Sequence, residues 1–294
     1  MPRIVIVGAL GQLGRALTRR LAAASPIALD SAALDVGRPS EVDRVLEELR
    51  PEVVVNAAAF NRVDDAESRV EEAFRTNALG PWALARAAER SRALVVHFST
   101  DYVFRGDARA PYGEDARPSP QSVYAASKLA GERLVEQGNP LHMVIRTAAL
   151  YGHRGGGGKG GNFVDTMLRL GGGGQPIRVV NDQRVSPTFA EDLAAKVVEL
   201  LDRWRATRDE SLLGLYHVTN VGSATWYDFA CEIFRRTANP VAVQPISTAE
   251  FGAAAPRPAY SVLARRHLAR LGLDDVRPWQ DGLGDYLVSR GSGT

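Results

Sequence analysis

The 294 residues predict an α/β fold: a doubly wound parallel sheet with a smaller C-terminal substrate-binding region. Short β-branched runs recur through the first half, amphipathic stretches long enough for helices separate them, and the first run ends in a glycine-rich turn. Repeated βα units of this kind build parallel sheets covered on both faces.

Taken in order, the buried strands are expected at 3–7 (RIVIV), 26–30 (PIALD), 52–56 (EVVVN), 93–98 (ALVVHF) and 141–146 (LHMVIR). Pro39-Ser40-Glu41 opens a helix that Pro51 closes just before the third strand. The texture changes near residue 150, where HRGGGGKGG (153–161) and GGGG (171–174) bracket the helix-like NFVDTMLRL. Runs this rich in glycine serve as flexible linkers or as a flap over a ligand cleft. Further strands are expected at 176–180 and 214–219, and further helices at 190–204 and 225–237. The division is therefore a dinucleotide-binding domain over 1–150 and a mainly substrate-binding region over 151–294, some of whose segments return to the sheet.

The charge balance, 36 basic against 34 acidic residues, gives no electrostatic case for a nucleic-acid or membrane partner. The start, MPRIVIVGALGQLG, has too short an apolar run for a signal peptide or a membrane span. Cys231, the single cysteine, excludes an internal disulfide and is expected to be a buried, inert thiol; with it goes a cytoplasmic location. The five histidines lack zinc-ligand spacing, so no metal is expected, and His97 and His142 are expected as satisfied core residues.

Gly8, Gly11 and Gly14 follow the first strand directly and open a helix. Glycines let the backbone turn sharply and approach a pyrophosphate, whose charge meets the helix N-terminus. Asp30, at the end of the second strand, stands at the interval expected of a ribose-binding carboxylate. It suits the free 2′-hydroxyl of NADH, with NADPH also open, and Asp35 and Val36 are placed to meet the adenine. Farther along, VYAASKLAGE puts Tyr124 and Lys128 four residues apart on one helix face. A cation beside a phenol lowers its pKa, which would make a tunable proton donor; a surface tyrosine beside a solvated lysine has the same spacing.

These motifs, together with VNAAAFNRVDDAE (55–67), NALGPWALARAA (77–88), FSTDYVFRGD (98–107), VIRTAALYG (144–152), VVNDQRVSPTFAEDLA (179–194), GLYHVTNVGSATWYDFA (214–230) and RPAYSVL (257–263), resemble the dTDP-4-dehydrorhamnose reductase family of extended short-chain dehydrogenase/reductases across nearly the whole chain. The resemblance implies reduction of a dTDP-linked 4-keto-6-deoxyhexose to dTDP-L-rhamnose by NADPH or NADH. It assigns Tyr124 as proton donor, Lys128 as the group that lowers the tyrosine pKa and holds the nicotinamide ribose, and Thr100 as the group that holds the carbonyl oxygen. Asp101 joins Thr100 on the sugar. Because Tyr102 stands where related dehydratases carry a glutamate, dehydration is disfavoured, and Tyr102 is expected to pack.

By the same resemblance Gly11, Gln12, Leu13, Ala59, Phe60, Asn61 and Phe98 line the cofactor. Asn162, Phe163 and the loop at 181–188 touch the nucleotide half of the substrate, and Arg257 and Ser261 lie on its pyrophosphate side. Two departures stand out: Phe60-Asn61 where the family has tyrosine or histidine followed by threonine, and Ala149 where many members carry a tryptophan against the sugar. Three alternatives stay open: a 4-ketoreductase acting on another dTDP-deoxysugar, an epimerase, and a non-catalytic subunit resembling the regulatory β subunit of methionine adenosyltransferase. A homodimer packed through the helices near 70–91 and 121–137 is also possible from the sequence.

Overall fold

The computed structural model describes residues 3–153 and 161–291; most of the glycine-rich stretch at 153–161, read above as linker or flap, lies outside them. Six strands form the central sheet: β1 (Ile4–Val7), β2 (Ile27–Leu29), β3 (Val53–Asn56), β4 (Leu94–Thr100), β5 (His142–Thr147) and, much later in the chain, β10 (Gly214–His217). Their spatial order is β10-β5-β4-β3-β1-β2, and every pairing is parallel. The sheet agrees with the fold class predicted from the sequence.

Alternation within each strand feeds two cores, because successive side chains leave opposite faces of a sheet. Ile4, Ile6, Val53, Val55, Leu94 and Val96 pack with Leu13 and Leu17 of α1 (Gln12–Arg20) and with Leu193, Leu200 and Trp204 far along the chain. Val5, Val7, Val54 and Val95 pack on the other face, against α2 (Pro39–Leu49), α5 (Gly80–Arg90) and Val135 of α6 (Val123–Gly138). Helix α2 begins with Pro39 in its first turn, where a missing N–H costs nothing.

Between β3 and α5 run α3 (Val63–Ser68), α4 (Val70–Phe74) and a π-helical turn over Arg75–Leu79. The wider turn carries the buried Asn77. Its amide accepts from the Phe60 N–H (2.8 Å) and donates to the Phe60 carbonyl (2.9 Å) and to Ser127 Oγ (3.0 Å). The loop after β3 is thereby tied to α6. The two segments approach so closely that a Cβ on Gly131 of α6 would stand 2.1 Å from the Asn77 carbonyl oxygen.

Beyond β5 come β6 (Leu150–Tyr151), α7 (Phe163–Gly171), β7 (Ile177–Val180), β8 (Arg184–Val185), β9 (Thr188–Phe189) and α8 (Ala190–Thr207). After β10 follow β11 (Ala224–Thr225), α9 (Trp226–Arg236), β12 (Val243–Ile246), α10 (Thr248–Phe251), α11 (Arg266–Arg270) and α12 (Trp279–Gly291). A third core joins Tyr151, Val164, Ile177, Phe189, Phe229, Ile233, Trp279 and Leu283. Of the two late strands expected from the sequence, the one at 214–217 completes the central sheet, while β7 pairs with β12 in a separate two-stranded sheet. Cys231, expected to be buried, is half-buried.

Candidate active site

Open parallel sheets bind ligands beyond the carboxyl ends of their strands, where the strand order reverses. Here β1 lies between β2 and β3, and the loops leaving these strands border a cleft of about 710 Å³. Gly8 begins the first loop with φ +76°, and a Cβ there would stand 2.5 Å from the Ala58 nitrogen. No side chain caps the start of α1, so its first N–H groups face the cleft in the manner of an anion site. Gly14 does not line the cleft. Its place is set by packing, since a Cβ there would stand 2.3 Å from the Gly8 carbonyl oxygen.

Gly8, Gly11, Gln12, Leu13, Asp30, Asp35, Val36, Ala59, Asn61, Phe98, Thr100, Asp101, Tyr124, Lys128 and Ala149 all line this cleft. Further residues singled out in the sequence do not, among them Phe163, whose ring packs against Trp226 and Phe229. Phe60 is buried beside Ala66, Ala73, Val123 and Tyr124, with the Arg62 and Arg69 guanidiniums over its ring. Asn162 caps α7: its amide oxygen accepts from the Asp165 N–H (2.9 Å), and its nitrogen donates to the Gly152 carbonyl (3.0 Å) and the Tyr286 hydroxyl (2.8 Å). Arg257 forms a two-pronged pair with Asp64 (2.9 and 2.7 Å) and donates to the Ala255 carbonyl. Ser261, placed on the pyrophosphate side by resemblance, is instead fully buried and donates to Asp101 Oδ2 at 2.5 Å.

The residues with reactive groups come from β4 and α6. Strand β4 ends at Thr100, whose Oγ1 donates to Asp101 Oδ1 (3.1 Å) and accepts from the Tyr102 N–H (3.2 Å). Helix α6 starts at Ser122, whose hydroxyl accepts from the Ala125 N–H (3.2 Å), and so brings Tyr124 and Lys128 to the cleft one turn apart. Burial pushes the Tyr124 phenol up to about 12, while the Thr100 hydroxyl beside it works the other way.

Lys128 Nζ donates to the Phe98 carbonyl at 2.6 Å. Burial lowers its pKa to about 8, with the Glu132 carboxylate holding it up. The ammonium is therefore anchored on β4, and burial dominates the phenol. The expected lowering of the tyrosine pKa by Lys128 is not what sets it here. A phenol at about 12 keeps its proton at neutral pH, as a donor to a developing alkoxide must.

Asp101 is buried, and burial pushes its carboxyl up to about 7 while Ser261 and Thr100 pull it back. Behind the site, Glu132 accepts from Ser99 Oγ (2.5 Å) and from Arg146 through Nε (2.8 Å) and Nη2 (2.7 Å). The Ser99 bond joins the strand that carries Thr100 to the helix that carries Lys128, and the buried pair with Arg146 ties that helix to β5 as well. His97 accepts from Asn56 through Nδ1 (3.1 Å), but among the described residues its Nε2 has no partner, contrary to the satisfied core histidine expected. His142 bonds the Asn139 carbonyl through Nδ1 (2.7 Å).

Sequence reasoning missed several residues of the cleft. Tyr102, expected to pack, lines it and meets the Tyr124 ring edge-on at 6.1 Å. Trp226 reaches it from the start of α9, tilted against Phe163 at 4.7 Å. Ser31, Glu72, Arg75, Thr76, Ser99 and Thr147 add to the polar lining. Only the fold brings these into one wall, although the NALG stretch that follows Thr76 lay within a recognised motif.

The cleft fits a dinucleotide. Gly8 lets the first loop lie against the Ala57–Ala58 backbone at the cleft floor, where a Cβ would clash, and two polar atoms in the lining, Gln12 Oε1 and Thr147 Oγ1, are buried without a partner among the described residues. Fold and site define a dinucleotide-dependent oxidoreductase of the short-chain dehydrogenase type. Residues 2–290 match the model described as RmlD substrate binding domain, and the chain belongs to that family.

Among its relatives, a probable dTDP-4,6-dihydroxy-2-methyloxan-3-one 4-ketoreductase of Streptomyces antibioticus is 45% identical, the match covering 96% of this chain and 93% of that one. A dTDP-4-dehydrorhamnose reductase of Mycobacterium tuberculosis is 39% identical over 99% of this chain and 94% of its own. A crystal structure of dTDP-4-dehydrorhamnose reductase from Bacillus anthracis, in complex with NADP, superposes with a TM-score of 0.91 at 38% identity, covering 98% of this chain and all of that one.

Proposed function

We propose that this chain reduces the C4 ketone of dTDP-4-dehydro-6-deoxy-L-mannose to give dTDP-L-rhamnose, with NADPH or NADH as reductant. The observation that carries the reading is the convergence of Thr100, Asp101, Tyr124 and Lys128 on the cleft that the glycine turn also borders. The bound cofactor supplies the hydride that adds to the carbonyl carbon. Tyr124 gives its phenolic proton to the oxygen as negative charge grows there, and Thr100 donates a hydrogen bond to the same oxygen. Lys128, within one helical turn, stabilises the charge left on Tyr124.

The α1 N-terminus and Gln12 would hold the pyrophosphate end, and Asp30 the adenosine ribose. The test mixes the purified protein with NADPH or NADH and the keto sugar. Loss of reduced-nicotinamide absorbance equal to the dTDP-L-rhamnose formed supports the reading. Cofactor binding with no turnover would leave the non-catalytic reading.

A second keto sugar is favoured by a specific observation. Ala149 lines the cleft with only a methyl group, at φ +41°, and the 45% identical relative is named for a substrate with no hydroxyl at the sugar 2-position. The ratio of kcat/KM for the 2-hydroxy and 2-deoxy keto sugars decides between them. We further propose a homodimer through α4 and α5, supported by the exposed Val70, Leu79 and Trp82 along this segment; sedimentation analysis tests it. The single cysteine is in keeping with a reducing, cytoplasmic setting. Among the described residues, no helix is long and apolar enough to cross a membrane.

A further inference from the structure

We infer that Arg75 is the residue that receives a 2′-phosphate on the cofactor's adenosine, so that the choice between NADPH and NADH is set by Arg75 acting against Asp30. This rests on reading the cleft as a dinucleotide site.

Asp30 begins the loop leaving β2, and its Oδ1 accepts from the backbone N–H groups of Ala32 (3.0 Å) and Ala33 (2.9 Å). The carboxylate is thereby fixed at the cleft wall. A carboxylate at this place accepts from a ribose hydroxyl and repels a phosphate. Taken alone, Asp30 would make the chain an NADH enzyme.

Three other charged side chains share that part of the cleft: Asp35, Glu72 and Arg75. Two are neutralised by neighbours outside the lining. Asp35 pairs with Arg38 at 3.4 Å, and Glu72 pairs with Arg69. Arg75 has no ion-pair partner among the described residues, and neither has Asp30. Once the internal pairs are formed, one anion and one cation remain to meet the ligand.

Position supports the same assignment. Arg75 is the first residue of the π-helical turn whose Asn77 is anchored in the interior. Its side chain lies across the turn that follows Asp35: a Cβ on Gly37 would stand 3.0 Å from both Cγ and Nε of Arg75. The guanidinium therefore sits over the stretch from Asp35 to Gly37 while remaining exposed to the cleft. Its planar fork can bond two phosphate oxygens at once, which an ammonium cannot.

The test is direct binding of two nucleotides, ADP and adenosine 2′,5′-bisphosphate, to the full chain by calorimetry, in wild type, Arg75→Ala, Arg75→Lys and Asp30→Ala. Arg75→Ala should weaken the 2′-phosphorylated nucleotide about tenfold or more and leave ADP within about twofold. Arg75→Lys should recover part of the loss, and Asp30→Ala should tighten the 2′-phosphorylated nucleotide. Equal weakening of both nucleotides by Arg75→Ala, or weakening of neither, would overturn the assignment. If the wild-type chain bound neither nucleotide, the dinucleotide reading itself would fall, and this inference with it.

Discussion

Ser261 donates its hydroxyl to the carboxylate of Asp101 across 160 positions of sequence, at 2.5 Å and in the interior of the protein. The bond ties the segment before α11 to the end of β4, next to the proposed catalytic threonine. It also tempers a carboxyl that burial pushes up to about 7.

A stability prediction follows from that shift. The folded chain holds the Asp101 proton more tightly than the unfolded chain, whose carboxyl titrates near 3.8. The favourable contribution is therefore full below about pH 4, declines as pH rises, and is lost above about pH 7. Asp101→Asn, which stays neutral, should gain about 1–3 kcal/mol over wild type above pH 7 and nothing near pH 4. Urea unfolding at the two pH values checks this, and, on the proposed role of Asp101 at the sugar, activity should fall.

Replacing Tyr124 by phenylalanine removes one hydroxyl and little apolar contact. Turnover should drop about 10²–10⁴-fold, the range for a positioned general acid, with the cofactor Kd nearly unchanged. Near-normal turnover in stopped-flow assays would mean that the proton comes from elsewhere.

Lys128 titrates at about 8 with Glu132 holding it up. If reduction needs the ammonium, kcat/KM should fall above about pH 8, and Glu132→Gln should move that limb to lower pH. The same substitution breaks the buried pair with Arg146 and should cost about 3–5 kcal/mol. A pH–rate profile below the variant's melting temperature separates the electrostatic effect from the loss of stability, which alone would leave the limb in place.

Helix propensity says that Gly131→Ala should stabilise α6 by about 1 kcal/mol. Contact says the opposite, because the new methyl would stand 2.1 Å from the Asn77 carbonyl oxygen. We expect a net loss of about 1–3 kcal/mol, read as a lower Tm in calorimetry.

Burial lowers the pKa of His217 to about 3, with the Arg146 guanidinium adding to it, and burial also holds His97 well below the usual histidine range. Both are neutral when folded, whereas the unfolded chain takes up protons below about 6.5. Their favourable contribution is full above about pH 6.5 and is lost progressively as pH falls toward 3. His217→Gln should flatten the acid limb of a stability–pH curve; an unchanged limb would show that His217 does not drive it.

Much of the fold was legible because its signals are local. β1, β3, β4 and β5 are β-branched runs buried on both faces, the glycine turn joins adjacent elements, and Tyr124 and Lys128 lie one helical turn apart. Such features depend on chain stiffness and side-chain period, which a short window contains. The sequence by itself thus determined a parallel α/β sheet, a dinucleotide turn and a helix that aligns a phenol with an ammonium.

Tertiary structure alone decided what surrounds them. The bond from Asn162 to Tyr286 and the pairing of Arg257 with Asp64 are contacts that no local pattern announces. Ser261 became a partner of Asp101, and Trp226 and Arg75 became walls of the cleft. The physical reason is that a polar side chain takes the best partner within reach, and reach is set by loops that join distant segments, which no local pattern encodes.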